Sequence, residues 1–200
     1  MDRMKDFKVV KNFLSKEELK LLQPYCYNRI LNDNWTHDPQ CPVSPSFYND
    51  AMMTVLLKSK LTLMEKETGL ELFPTYSYWR YYGYDNDLHT HIDRNSCEVS
   101  ASVCIKKSHD WPIHMNTTWV ELEEGDAVLY FGAKVVHGRK PFKGDGMAQC
   151  FFHYVNKNGP YANHVGDRIN ENQFRKKIDP KDLKRIKEIK KKAYAKNNRN

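Results

Sequence analysis

From Pro74 to Val155 the chain strings together short runs of β-forming residues, and this succession most limits what it can fold into. TYSYWRYYGY (75–84) has the aromatic density of a strand, and extended geometry would put Tyr78, Arg80 and Tyr82 on one face. CEVSASVCI (97–105) reads as a second strand, WVELEEGDAVLYFG (119–132) holds two more around a Glu-Gly-Asp turn, and AQCFFHYV (148–155) is a fifth. Helix signals come first. Behind a strand-like FKVV (7–10), Ser15 and Glu18 form a capping box with Leu14 placed as a staple. Met52, Val55, Leu56, Leu63 and Met64 recur at helical spacing, and Gly69 stands at the C′ position. Helices followed by strands predict an α+β chain with a mainly β core, an antiparallel sandwich or barrel.

Two hundred residues with 40% hydrophobic content suit one domain with a proper core. The net charge of +7 is unevenly held: from Arg175 onward there are twelve Lys/Arg against three Asp/Glu, so the rest is slightly acidic. The organisation expected is a single domain over 1–174, with a helical lead-in (1–72) and a β core (73–160), then a basic, partly helical or disordered tail (175–200). Within that tail, Leu183, Ile186 and Ile189 would share one side of a helix between Pro180 and Ala195. Its charge would suit nucleic acid, but Tyr194 is the sole interleaved aromatic, and a solvated terminus is the favoured reading. Five scattered cysteines (Cys26, Cys41, Cys97, Cys104, Cys150) form no Cys-x-x-Cys pair, which argues for reduced thiols in a cytoplasmic protein. No apolar signal core or membrane-length run is present.

The chemistry concentrates in LHTHIDR (88–94). Alternate positions of an extended segment would turn His89, His91 and Asp93 to one side, and a bound cation is the simplest reason for such a cluster. His91 and Asp93 supply two ligands, and His137, 44 residues beyond Asp93, is the candidate third. Two imidazoles and a carboxylate on one triangular face leave three positions open, which suits non-haem Fe(II) better than a closed zinc site.

The run WRYYGY…LHTHIDR…CEVS…WPI…GDAVLYF…VVHGRKPFKG…QCFFHYV resembles the Fe(II)/2-oxoglutarate-dependent oxygenases, specifically their prolyl 4-hydroxylase-like branch, from about Tyr76 to Val155. The resemblance implies a double-stranded β-helix (jelly roll) holding iron through His91, Asp93 and His137. It also implies 2-oxoglutarate and O2 as co-substrates, with hydroxylation of an unactivated C–H bond and release of succinate and carbon dioxide. A peptidyl, prolyl-like substrate or a small molecule would then be the partner. A catalytically inactive jelly-roll module binding a ligand or nucleic acid is the alternative.

Tyr82, nine positions before His91, matches the tyrosine that binds the 2-oxoglutarate tail in that family. The family's Lys or Arg, nine or ten residues after the distal histidine, is missing, because Gly146 and Met147 stand there. Arg139 is the first substitute and Arg80 the second, with Gln149 as a neutral hydrogen-bonding option. An ion pair with Asp93 or Glu98 is the structural role expected of Arg80, and a surface salt bridge that of Arg139. His89 is placed at the rim, behind the ligands or simply exposed, Arg94 orients Asp93 or fixes the loop, Asp126 lies in a turn, and the loop 32–46 and the edge near Trp111 stand around a substrate mouth. His109, His114 and His164 have no matching partner in the sequence.

Overall fold

The computed structural model describes residues 4–32, 35–36, 38–166, 184–185, 187–189 and 191. A first strand, β1 (Phe7–Val10), leads into α1 (Lys16–Leu31). The reciprocal Ser15–Glu18 box closes the start of α1: Glu18 N–H donates to Ser15 Oγ (3.1 Å) and Ser15 N–H to Glu18 Oε2 (2.7 Å). β2 (Ser46–Tyr48) precedes α2 (Ala51–Ser59) and α3 (Leu61–Thr68), which ends at a left-handed Gly69 (φ 71°).

The helical spacing expected from Met52 to Met64 is thus broken at Lys60 into two helices, and the buried face differs from the one expected. Met53, Leu56, Leu57 and Met64 are buried, whereas Val55 is 64% exposed and Met52 37%. Asp50 sets this rotation by capping α2 through Met52 N–H while bonding Tyr25 and Arg29 of α1. The cap fixes where the helix starts, and so which residues face the sheet.

The strands then run β3 (Leu72–Tyr82), β4 (Leu88–His91), β5 (Val99–Lys107), β6 (Ile113–Met115), β7 (Thr118–Val120), β8 (Ala127–Tyr130), β9 (His137–Arg139) and β10 (Met147–Asn156). They form a six-stranded sheet ordered β1-β8-β5-β10-β3-β2 and a four-stranded sheet ordered β4-β9-β6-β7, with every pairing antiparallel. The short strands β2, β6 and β9 escape a sequence reading because three residues carry little alternation of their own.

One face of the larger sheet packs on the helices. Trp79 and Tyr81 of β3, Val103 of β5, and Phe152 and Tyr154 of β10 join Leu22, Cys26, Met53 and Leu57 in one apolar cluster. The Tyr154 hydroxyl donates to Leu57 O (2.7 Å) and pins α2 to β10. A second cluster joins Tyr82 of β3, Cys104 of β5, Tyr130 of β8 and Met147 of β10 to Ile113 and Met115 of β6 and Val120 of β7, so the two sheets share an interior. β3 is buried on both faces, which explains why its sequence is aromatic throughout rather than alternating.

All five cysteines are free and buried. No helix among the described residues is long and apolar enough to cross a membrane. Of the residues expected to face one side of the tail helix, Leu183 and Ile186 lie outside the described residues, and Ile189 is buried beside Gly83, where a Cβ would come within 2.6 Å of Ile189 Cγ1.

At Gly146 an added Cβ would fall 1.9 Å from the Tyr81 hydroxyl, the fixed end of a buried ring. Gly146→Ala should therefore lower stability by about 1–3 kcal/mol, read from urea midpoints at unchanged slope, and Tyr81→Phe in the same chain should recover part of the loss.

Candidate metal centre and anion pocket

His91 closes β4 and His137 opens β9, and the two are direct partners across that ladder, with ring centroids 4.4 Å apart. Asp93 follows two residues after His91 and is fixed by its N–H donating to Gly132 O (2.9 Å). Its Oδ1 lies 3.5 Å from Nε2 of His91 and 3.5 Å from Nε2 of His137. Gly132 makes the approach possible, since a Cβ there would sit 2.6 Å from Asp93 Oδ2 and 2.3 Å from Cys97 O. Tyr130 donates its hydroxyl to Asp93 Oδ2 (3.3 Å).

Proton bookkeeping decides what this cluster can hold. His91 Nδ1 lies 2.7 Å from His89 O, and His137 Nδ1 lies 2.9 Å from Val135 O. A carbonyl only accepts, so each Nδ1 carries the hydrogen and each neutral ring keeps its lone pair on Nε2. Three electron-pair donors then converge. Ligands at neighbouring corners of an octahedron with bonds of about 2.1 Å stand roughly 3 Å apart, so separations of 3.5 Å need only a small contraction around an ion.

Burial works to raise the pKa of Asp93, but hydrogen bonds from His137 and His91 more than offset it and hold the carboxyl well below its usual range. Burial likewise works against a charged His91, while Asp93 and the His89 carbonyl outweigh it and raise its pKa. Where His91 is charged, a dication would displace its Nε2 proton, and loading should then release that proton. Cys97 also approaches Asp93, alongside His153. Burial pushes its thiol up to about 12, so it stays protonated and is a poor ligand.

The alternation expected of His89, His91 and Asp93 fails at one position. The β4–β9 register slips between Leu88, opposite Arg139, and His91, opposite His137, so three steps on β4 match two on β9. Leu88 turns inward and His89 turns outward, its side chain 84% exposed and paired with Asp87 at 3.5 Å. Arg94 stacks its guanidinium over Tyr76 (4.8 Å). Glu98 caps the end of β10, accepting from Asn156 N–H (2.7 Å), and Asp126 holds its turn together through Glu123 N–H and Lys11.

A cavity of ≈ 100 Å³ adjoins the triad, lined by Tyr76, Tyr78, Arg80, Tyr130, Phe151 and His153 together with Asp38 and Gln40. The partner of Arg80 is neither Asp93 nor Glu98 but Asp38, a residue on which sequence reasoning placed no role. Arg80 also donates to the hydroxyls of Tyr78 (3.0 Å) and Tyr82 (3.4 Å). Arg139 forms no surface salt bridge. It is buried, with its guanidinium 4.6 Å over the Trp111 ring and Nη1 donating to Trp111 O. Its Nη2 has no partner among the described residues, and no carboxylate pairs with it there. Burial depresses its pKa to about 10, opposed by Tyr82, Cys104 and Tyr130, so it remains a cation at neutral pH. Trp111 is accordingly an interior wall rather than a rim, its Nε1 donating to Lys140 O (2.6 Å). Gln149 faces Ser102, to which its Nε2 donates (2.8 Å), and its Oε1 has no partner among the described residues.

His153 was also missed, although its place in QCFFHYV, two and four residues from Phe151 and Gln149, puts it on the inner face of β10. It bonds Ser100 Oγ through Nδ1 (2.8 Å).

No family model and no curated protein sequence matches this chain. Its fold does match solved structures of Fe/2-oxoglutarate-dependent oxygenases. The 2-oxoglutarate complex of the viral collagen prolyl hydroxylase from Paramecium Bursaria Chlorella virus-1 superposes with a TM-score of 0.58 at 12% identity, over 75% of this chain and 96% of that one. A Pseudomonas putida prolyl-4-hydroxylase gives 0.60 at 15%, over 76% and 93%. HygX from Streptomyces hygroscopicus, with nickel and 2-oxoglutarate bound, gives 0.61 at 14%, over 76% and 84%. At these identities the likeness establishes the fold, a mainly β architecture of antiparallel sheets with few helices.

Burial drives the pKa of His153 down to about 4, with Asp93 opposing, from an ordinary value of 6.5. The unfolded chain therefore takes up a proton near pH 6.5 that the folded chain refuses until about pH 4. This contribution to stability is complete above pH 6.5 and is lost as pH falls through 4, by up to about 3 kcal/mol. Comparing denaturation midpoints of metal-free wild type and His153→Gln across pH 4–7 should show this slope in the wild type alone.

Proposed function

We propose that the protein is an Fe(II)- and 2-oxoglutarate-dependent dioxygenase that hydroxylates an unactivated C–H bond of a peptidyl or small-molecule substrate, releasing succinate and carbon dioxide. One observation carries the reading: donor atoms of His91, Asp93 and His137 lie within 4.8 Å of one another, with both Nδ1 hydrogens already committed to carbonyls. The core strand orders β8-β5-β10-β3 and β4-β9-β6-β7 support a double-stranded β-helix, with the triad on the smaller sheet and the segment after β4.

His91, Asp93 and His137 would hold the metal, and the bound metal with 2-oxoglutarate supplies oxygen activation. The rest falls to the chain. Leu88, Tyr130 and Phe151 line the cavity beside the triad and limit water there. Tyr130 keeps one carboxylate oxygen of Asp93 turned from the histidines.

Arg139, helped by Tyr82, is the cation for the distal carboxylate of 2-oxoglutarate. Its orphaned Nη2 in a buried setting fits an anion, and Tyr82 lies close enough to Arg139 to influence its charge. A cation at the family's usual place has no room: position 146 abuts the Tyr81 hydroxyl, and Met147 is packed beside Tyr82 in the shared interior. The charge has moved from β10 to β9. This relocation removes the main ground for reading the domain as a binding module without catalysis.

Wild type should release succinate in an oxygen-dependent manner. His137→Ala and Asp93→Ala should fold yet bind Fe(II) or Co(II) at least 10–100-fold more weakly by calorimetry. Arg139→Met should keep the metal and weaken 2-oxoglutarate by roughly 10–100-fold. Normal metal retention in both ligand variants would overturn the reading.

A further inference from the structure

Two arginines reach the interior from opposite sheets, and one co-substrate tail accounts for only one of them. Arg80 is fully buried and is balanced by Asp38, which stands on a tight turn: Gln40 N–H donates to Asp38 Oδ1 (2.8 Å) and Cys41 N–H to Asp38 O (3.0 Å). Asp38 Oδ2 accepts from the Arg80 guanidinium and from the Tyr78 hydroxyl (2.8 Å). Gln40 bridges onward, its Oε1 accepting from Arg80 Nη2 (3.0 Å) and its Nε2 lying 3.1 Å from His91 Nε2.

The amide orientation follows from its neighbours. Arginine only donates, so the Gln40 oxygen must face it and the NH2 group must face His91. An N–H donor on the His91 lone pair keeps a metal from that atom, so metal loading withdraws Gln40. The cavity is also too tight for a bound organic molecule, at ≈ 100 Å³ against the few hundred usual for ligand pockets. Among the residues around it, Asp38 and Gln40 alone come from the connection between α1 and β2. The others lie on strands or, for Asp93, directly after β4. Opening the pocket falls to this turn. When it retracts, Arg80 loses its carboxylate, and a buried guanidinium left unpaired is strongly unfavourable. The loaded site must bring a second anion.

We propose that Asp38 is a built-in stand-in for a carboxylate of the primary substrate, and that the protein acts on a small molecule with a free carboxylate rather than on an internal residue of a peptide. The inference rests on the metal-ligand and co-substrate assignments above. Arg80 and Tyr78 form the carboxylate subsite, and the rings of Tyr76 and Phe151 wall the space beside it. One amide group spans from Arg80 to His91, so an acid held at Arg80 presents carbons within a few bonds of its carboxylate to the open side of the metal.

The test uses protein loaded with Ni(II), which does not turn over, and 2-oxoglutarate. Free L-amino acids and their carboxamides are titrated in by calorimetry. At least one acid should bind, with its amide at least tenfold weaker. Asp38→Asn removes the internal competitor and should tighten that acid several-fold. Arg80→Met should abolish acid binding while leaving 2-oxoglutarate within about twofold, and Tyr78→Phe, a milder change should Arg80→Met not fold, should weaken the acid alone. The proposal is overturned if acids and amides bind alike, if no acid binds either wild type or Asp38→Asn, or if Asp38→Asn merely lowers stability without changing acid affinity. Loss of 2-oxoglutarate in Arg80→Met would also overturn it, by making Arg80 the co-substrate anchor. Failure of the underlying function shows differently, as wild type that takes up neither Ni(II) nor 2-oxoglutarate.

Discussion

The cross-strand pairing of His91 with His137 is the constraint on which the remaining structure turns. Antiparallel pairing brings two imidazoles from segments 46 residues apart in sequence to neighbouring positions, and the step to Asp93 adds a carboxylate within 3.5 Å of both. Backbone carbonyls fix both rings from behind, so their free electron pairs point inward. Much of the surrounding architecture protects that convergence. Gly132 clears space for Asp93, Tyr130 holds its second oxygen, and the bulge in β4 sends His89 away so that a third imidazole does not join the cluster.

Around this centre the interior is unusually rich in buried charge for a chain with a well-packed apolar core. Arg80 and Arg139 enter from opposite sheets and both lie within electrostatic reach of Tyr82, yet their surroundings differ. Arg80 has a carboxylate, two phenols and an amide; Arg139 has an indole face, one carbonyl and an unused N–H pair. Buried guanidinium groups without full compensation are unfavourable for folding, and such a departure from local consistency is where function is to be sought. Among the described residues, Arg80 is thus paired by the chain itself, whereas Arg139 keeps unused donor capacity.

The strand runs, the capping box at Ser15 and the spacing of His91, Asp93 and His137 were legible because each depends on local geometry or on residue type. The face of α2 was misjudged because Met52 and Val55 are as apolar as Met53 and Leu57, and only the Asp50 cap selects between them. The three-residue strands β2, β6 and β9 were not legible, since their extended form is imposed by neighbours in the sheet. His153 carried a usable signal in the alternation of β10, whereas Asp38 and Gln40 carried none.

What the sequence determined by itself was the set of donor atoms, because their number and kind are fixed by residue identity: two imidazoles, one carboxylate, and no cation at 146 or 147. What only the tertiary structure decided was the partner of each charge. Arg80 meets Asp38 across 42 residues of sequence, and Arg139 meets no carboxylate among the described residues, because ion pairing depends on distances that chain separation does not encode and on burial that makes an unmet charge consequential.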